Sequence, residues 1–435
     1  KFHLMTLCDL EPDNRNARLE LARIRLAEAG PDLRGSIRAE IRSLASDPAL
    51  RINAIGTLLN DSLKQNEAHD ALALAAELQR EADLPAAHSV AVAEALRKFE
   101  PASLTDYLAA LRQRVQTRPA DVVRLGYYLV ESGRAAESKD WLISLPDTVI
   151  GLPGVQRIIA ACHADLQEWP RLETFLKEKN WGETDFERLA MLAFAQRQLG
   201  NLPAFGETWR LALVEAGVNP AKLNLLLQRT TTWGWREQRI DVLWRLFQQN
   251  PRSKTVVQQL FAYERSQGNT TNLNRLFSRL VEAEPNDANA RNNFAYTSLL
   301  LNTNTARATN LAREVLATDP KNPYFATTQA LALLRTGKST EARELLDSLS
   351  SLQLWQPERV VIHAAVLAAD DHIDDADLLL TSVNDRGLLP EEKRLLADTR
   401  AAIDRRRQEL ARTARVSETV AASRETTAAK SVLAL

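Results

Sequence analysis

The feature that most constrains this chain is the interval between its prolines. Pro12, Pro48, Pro85, Pro119, Pro153, Pro220, Pro251, Pro285 and Pro320 all stand at the ends of helical segments. The steps from Pro85 to Pro119, Pro119 to Pro153 and Pro251 to Pro285 are each about 34 residues. Proline lacks a backbone N–H and clashes with the preceding turn, so it cannot continue a helix. Punctuation at this interval predicts short helices arranged as repeated helix–turn–helix units. Several of the prolines sit in similar words, at Leu10–Asn14, Ala283–Asp287 and Thr318–Asn322, where an Asn or Asp follows that can cap the next helix. Gly133, Gly200, Gly234, Gly268 and Gly337 fall near the middles of units, where a left-handed residue ends the first helix of a pair.

Composition agrees with helix and narrows the class. Ala, Leu, Arg and Glu dominate the 435 residues, and Gly is sparse. Hydrophobic residues make up 45% of the chain, enough for a core, yet no stretch approaches the roughly 18 uninterrupted apolar residues of a membrane span. With 55 basic and 56 acidic residues the formal charge is −1, so no whole-chain field attracts nucleic acid or anionic lipid. The cysteines, Cys8 and Cys162, cannot make a disulfide framework and leave the redox compartment open.

Between the punctuation marks, apolar residues follow helical spacing. Phe294, Ala295, Ala308, Ala312 and Val315 are expected to face one way, as are Val122, Leu125, Gly126, Leu129 and Leu142. Small residues in mid-helix let a partner helix approach closely. Leu125-Gly126, the small residues Ala308, Ala342 and Ala376 of second helices, and Phe277 and Trp209 at the large position resemble the tetratricopeptide repeat. The family's leading Trp is replaced throughout, by Val122, Leu189, Leu223, Val257, Arg291, Ala326 and Val360. Units before about residue 120, and around Gln156–Lys179, match in rhythm only, and half-a-TPR-like or Sel1-like arrays stay open for them.

The period predicts an all-α solenoid of about eleven antiparallel helix pairs. First helices are expected to begin near Asn14, Arg51, His88, Asp121, Val155, Asp185, Pro220, Lys254, Asn289, Pro323 and Pro357. The resemblance implies a right-handed superhelix with a concave groove lined by first helices. Residues 1–13 read as the second helix of a repeat truncated upstream, and 14–389 as the solenoid. Residues 390–415 read as a capping helix, and 416–435 as a disordered tail. The missing initiator Met suggests upstream sequence, an anchor among the possibilities; cytoplasm and periplasm both remain open.

No constellation of catalytic or metal-binding spacing emerges. His3, His69, His88, His163, His363 and His372 are scattered, there is no Cys-x-x-Cys, and Cys162 and His163 are helical neighbours whose side chains diverge. His363 is expected to be a satisfied core histidine. Asp370, Asp371, Asp374, Asp375 and Asp377 lack the spacing and central Gly of a calcium loop and read as a solvated turn with a helix N-terminus. No metal or cofactor is expected. Seven of the eight tryptophans lie in Trp141–Trp244, which suggests core filling first and a partner hot spot second.

The expected role is a non-catalytic scaffold or adaptor that binds a protein or peptide in the groove. Alternatives are an RNA-binding helical repeat, or the regulatory part of an enzyme whose catalytic region lies upstream; near-neutral charge argues against nucleic acid. Aligning first helices on their buried stripes predicts an inward face of Arg197, Gln198, Asn224, Gln228, Gln258, Arg265, Asn292, Tyr296 and Arg335. Amides and guanidinium groups can bond a peptide's backbone and carboxylates, and the resemblance implies the same use. On this reading Asn224→Ala with Arg265→Ala weakens binding and leaves the melting temperature nearly unchanged.

Overall fold

The computed structural model describes residues 2–381 and 383–432, and every regular element among them is helical. The chain divides into two compact units, Lys1–Ala216 and Gly217–Leu435. The division falls inside the array that the sequence analysis reads as uninterrupted from residue 14 to 389.

In the first unit α1 (Phe2–Leu10) precedes six pairs. These are α2 (Arg15–Glu28) with α3 (Pro31–Leu44), α4 (Arg51–Gln65) with α5 (Ala68–Leu78), and α6 (Ala86–Phe99) with α7 (Pro101–Val115). They continue with α8 (Pro119–Glu131) and α9 (Ala135–Ile143), followed by the short α10 (Asp147–Ile150). Then come α11 (Pro153–Asp165) with α12 (Trp169–Lys177), and α13 (Asp185–Gln198) with α14 (Leu202–Ala216).

The second unit has five pairs: α15 (Pro220–Thr232) with α16 (Arg236–Gln249), α17 (Lys254–Ser266) with α18 (Thr270–Ala283), and α19 (Ala288–Leu300) with α20 (Thr305–Thr318). Next are α21 (Pro323–Arg335) with α22 (Ser339–Asp347), the short α23 (Ser351–Leu354), and α24 (Pro357–Ala369) with α25 (Ile373–Thr381). The last helix, α26, runs Pro390–Val432. It thus passes the expected end near residue 415, because after Pro390 the sequence has neither Gly nor Pro to stop it. The last three residues of the expected tail, 433–435, lie outside the described residues.

Local chemistry explains the pairs. Asn14, Asp287 and Asn322 cap α2, α19 and α21 through side-chain oxygens that accept from Ala17 N, from Asn289 and Ala290 N, and from Tyr324 N. Gly133, Gly200, Gly234, Gly268 and Gly337 all have φ between 64° and 79°, the left-handed turn that breaks one helix and starts the next. Inside the pairs Ala308, Ala342 and Ala376 are fully buried, with Phe277 and Trp209 filling the larger gaps. At Gly126 a Cβ would lie 3.1 Å from Ile158 Cδ1, so the Leu-Gly pair sets the approach of α11 to α8.

Within the first unit each first helix touches the next first helix, at α2–α4, α4–α6, α6–α8, α8–α11 and α11–α13. The second unit does the same at α19–α21 and α21–α24. Second helices instead touch the following first helix, so first helices form the inner side of the stack. α26 closes the second unit against α24 and α25, burying Leu388, Leu396 and Ile403 with Val361, Ile373 and Leu380.

Candidate functional site

Four successive first helices of the second unit and the start of α26 converge on a cavity of about 230 Å³. Phe261 and Arg265 come from α17, one turn apart on a face that Gln258 shares by spacing. α18 supplies Leu273 and Phe277 as an apolar floor. α19 adds Asn292, Asn293 and Tyr296, and α21 adds Tyr324, Thr327 and Thr328. Glu358 and Arg359 of α24 and Glu392 of α26 complete the polar wall.

The start of α26 reaches back across this face. Leu389 is buried in the same core as Leu273 and Phe277. Pro390 lies against the α17–α18 turn, where a Cβ on Gly268 would come within 3.3 Å of its Cδ. Thr270 donates to Glu391. Glu392, whose side chain is fully buried, accepts from Tyr296 Oη at 2.7 Å and from the backbone N–H of Leu389 at 2.6 Å, with Arg265 Nη1 at 3.7 Å. The N–H bond from Leu389 is one arm of a capping box, turned here into a tertiary anchor. Burial pushes the Glu392 carboxyl up, against the opposing pull of Arg265. Burial and the neighbouring Glu392 push the Tyr296 hydroxyl well above its ordinary range. Arg359 is itself buried; its Nη1 donates to the carbonyl of Gln353, and its guanidinium lies 4.0 Å from the ring centre of Tyr324.

Of the nine residues expected on the inward face, the structure gathers three here: Arg265, Asn292 and Tyr296. Asn224, Gln228 and Gln258 are exposed on α15 and α17, and Arg335 is exposed at the end of α21. Arg197 and Gln198 are exposed on α13 in the first unit, with Arg197 over the Phe205 ring at 5.2 Å. The pairing of Arg265 with a buried carboxylate changes one expectation. Arg265→Ala would leave Glu392 without its cation, so this substitution costs stability and would not leave the melting temperature nearly unchanged.

Most of the other singled-out residues are engaged in contacts within the fold. Asp371 pairs with Arg406, and Asp374 and Asp377 with Arg407, so the acidic turn is held by arginines of α26. Asp370 accepts from Ser339, Thr340 and Arg343. Cys162 is buried while His163 turns away to Glu168, 2.6 Å distant. His363 is partly buried but not the satisfied core histidine expected, since its Nε2 is 3.8 Å from Asp347 and has no hydrogen-bond partner among the described residues. Trp181, Trp209 and Trp235 are buried as core filling, whereas the isolated Trp355 is 63% exposed. Among the described residues no group of three His, Cys, Asp or Glu side chains converges as a metal site, and no helix is long and apolar enough to cross a membrane.

The fold defines the class: an all-α protein of tandem, tetratricopeptide-like helix pairs. No family model matches the chain, and no curated protein matches it. Among solved structures it is similar to a tetratricopeptide repeat protein from Parabacteroides merdae, at 15% identity and TM-score 0.29, covering 65% of this chain and 98% of that one. It is also similar to the TPR2AB-domain:pHSP90 complex of yeast Sti1, at 14% identity and TM-score 0.26, covering 60% and 97%. A third is Naa15/Naa10 bound to HypK-THB, at 12% identity and TM-score 0.29, covering 90% and 73%. Overlaps this loose carry no weight; the repeat form stands on the pair lengths, turn glycines, caps and buried alanines above.

Proposed function

We propose that this chain is a non-catalytic interaction scaffold that binds an extended peptide or a partner helix along the inner face of the second unit. The observation that carries this reading is the convergence of α17, α19, α21 and α24 on one cavity, flanked by exposed amides on α15 and α17. A stack of pairs buries its own flanks and leaves the inner face of its first helices for a ligand. Asn and Gln side chains donate and accept together, which suits a peptide backbone whatever its sequence.

The test uses exposed residues only. In the variant Asn224→Ala, Gln228→Ala, Gln258→Ala, each lost hydrogen bond is expected to cost ~0.5–1.5 kcal/mol of binding. The partner is first identified by affinity purification with the intact chain. Its dissociation constant for the triple variant should then rise by roughly ten-fold or more while the melting temperature stays put. Unchanged affinity would remove this face as the binding site.

A further inference from the structure

We infer that the cavity between α17, α19, α21, α24 and α26 seats a basic side chain of the partner, its apolar stem among the aromatic rings and its cation beside Glu358. This deepens, and rests on, the reading of the inner face as the binding face. Glu358 stands in the first turn of α24 and is only partly buried. It lines the cavity, yet among the described residues it has no hydrogen bond and no ion pair. Its charge is felt on two other helices. Burial is the main upward push on Tyr296 of α19 and Glu392 of α26, and Glu358 adds to it at both, so its carboxylate lies on the cavity side of α24.

The other charges on the wall are already answered. Arg265 faces the buried Glu392 across 3.7 Å, and Glu392 also accepts from Tyr296 and from the N–H of Leu389. Arg359 is 5% exposed, its Nη1 on the Gln353 carbonyl and its guanidinium against the Tyr324 ring. Glu358 is therefore the charge that an incoming group meets unpaired. A cation answers it, an anion is repelled by it, and a neutral group displaces its water without replacing it.

The rest of the lining favours a cation on a long apolar stem. Phe261, Phe277, Tyr296 and Tyr324 surround the space, and Phe261 and Tyr324 stand exposed at its rim. Aromatic faces pack methylene groups and also attract the charge at their end. An apolar cavity of ~150 Å³ takes a benzene ring. At about 230 Å³ this one has room for a lysine stem and its ammonium.

The test is a ligand-observed NMR titration of the full chain with three probes. They are N-acetyl-lysinamide, N-acetyl-norleucinamide, which keeps the stem and lacks the amine, and the α-amide of N-acetyl-glutamate. The lysine probe should bind roughly five-fold or more tightly than the norleucine probe, and the glutamate probe more weakly than either. Glu358→Gln should bring the lysine probe down to the norleucine level and leave the norleucine probe unmoved. The same substitution should weaken the purified partner. Phe261→Ala should weaken both the lysine and the norleucine probes, and remains informative should Glu358→Gln misfold. A norleucine or glutamate probe that matches lysine overturns the inference, as does a lysine advantage that survives Glu358→Gln. So do a partner indifferent to that substitution, a lysine probe indifferent to Phe261→Ala, and absence of binding up to the probes' solubility. Failure of the lysine probe with partner loss still seen in the Asn224/Gln228/Gln258 variant sinks the cavity alone. A lysine probe that needs Glu358 while that variant keeps its partner sinks the groove reading and leaves the cavity standing.

Discussion

The two units are built from the same pair and treat their inner faces differently. In the first, α2, α4, α6 and α8 surround two open cavities of about 480 and 470 Å³, with Glu94, Arg97 and Tyr128 among the lining of one and Glu20, Asn53 and Asp61 among that of the other. Its charges run from pair to pair: Arg38 to Asp61 and Glu67, Arg42 to Glu77, Lys139 to Glu168. In the second, a helix from outside the period lays its first turn across the inner face and buries a carboxylate there. Stacked pairs alone couple nearest neighbours. Tying α17 and α18 to α26 takes an element that follows three further pairs, which makes the second unit the less modular of the two.

Ending the chain at Asn384 should break the comparison most. It removes Leu388, Leu389, Leu396 and Ile403, all buried in the structure. Each is worth ~1.5–3 kcal/mol of burial, together comparable with the whole stability of a domain. The second unit should then melt well below its normal midpoint and turn association-prone. The first should keep its transition and its helical circular dichroism. An unchanged thermal profile would show α26 to be an appendage and not a cap. Leu389→Ala isolates the anchor and should cost ~2–5 kcal/mol by urea denaturation, confined to the second unit's transition. A loss under 1 kcal/mol would mean that the α26 turn is not held in the core.

How far the sequence could see follows from which forces are local. Starts expected at Arg51, Asp185, Pro220, Lys254, Pro323 and Pro357 coincide with those observed. Those expected at Asp121 and Val155 fall two residues late, because Pro119 and Pro153 occupy the first helical position and do not precede it. The buried stripes were legible because helical periodicity is itself the burial signal. The site was legible only in part. Reading the face opposite the buried stripes included Arg265, Asn292 and Tyr296, which line this cavity, but passed over Phe261, Thr327, Thr328 and Arg359, which line the same space. Glu392 was beyond reach, since an acid in a first turn reads as a dipole partner in solvent. The apolar pair Leu388-Leu389 directly before Pro390 was the one hint that this helix start is pinned down.

The first unit has its own close contact, local where that of the second is long-range. His88 lies over Gly56, so that a Cβ at 56 would sit 2.1 Å from His88 Nδ1. Gly56 is in mid-helix, where Ala is otherwise favoured by about 1 kcal/mol. Overpacking should nonetheless win, and Gly56→Ala is expected to destabilise the first unit by ~1–3 kcal/mol. Adding His88→Ala should remove the clash and recover most of that loss. Full additivity of the two substitutions would mean that the ring swings clear at no cost.

The smallest expected effect, and the one that separates the units by sign, is the response to acid. Glu168 in the first unit is held down to about 2 by hydrogen bonds from Lys139 and His163. A carboxyl with a depressed native pKa contributes stability above its unfolded pKa and loses it as pH falls through the native one. Glu168 should therefore withdraw support between about pH 4.5 and 2. Glu392 runs the other way, because burial raises its native pKa above the unfolded value of 4.5. As pH drops from neutral towards 4.5 the native state takes up its proton first, so this site gains stability over that window. Stabilities of the wild type, Glu168→Gln and Glu392→Gln at pH 7, 4.5 and 3 resolve both. Relative to Glu392→Gln the wild type should strengthen between pH 7 and 4.5, and relative to Glu168→Gln it should weaken between 4.5 and 3. Parallel pH curves for the wild type and Glu392→Gln would place that carboxyl in water and remove the difference that a buried acid makes between the two inner faces.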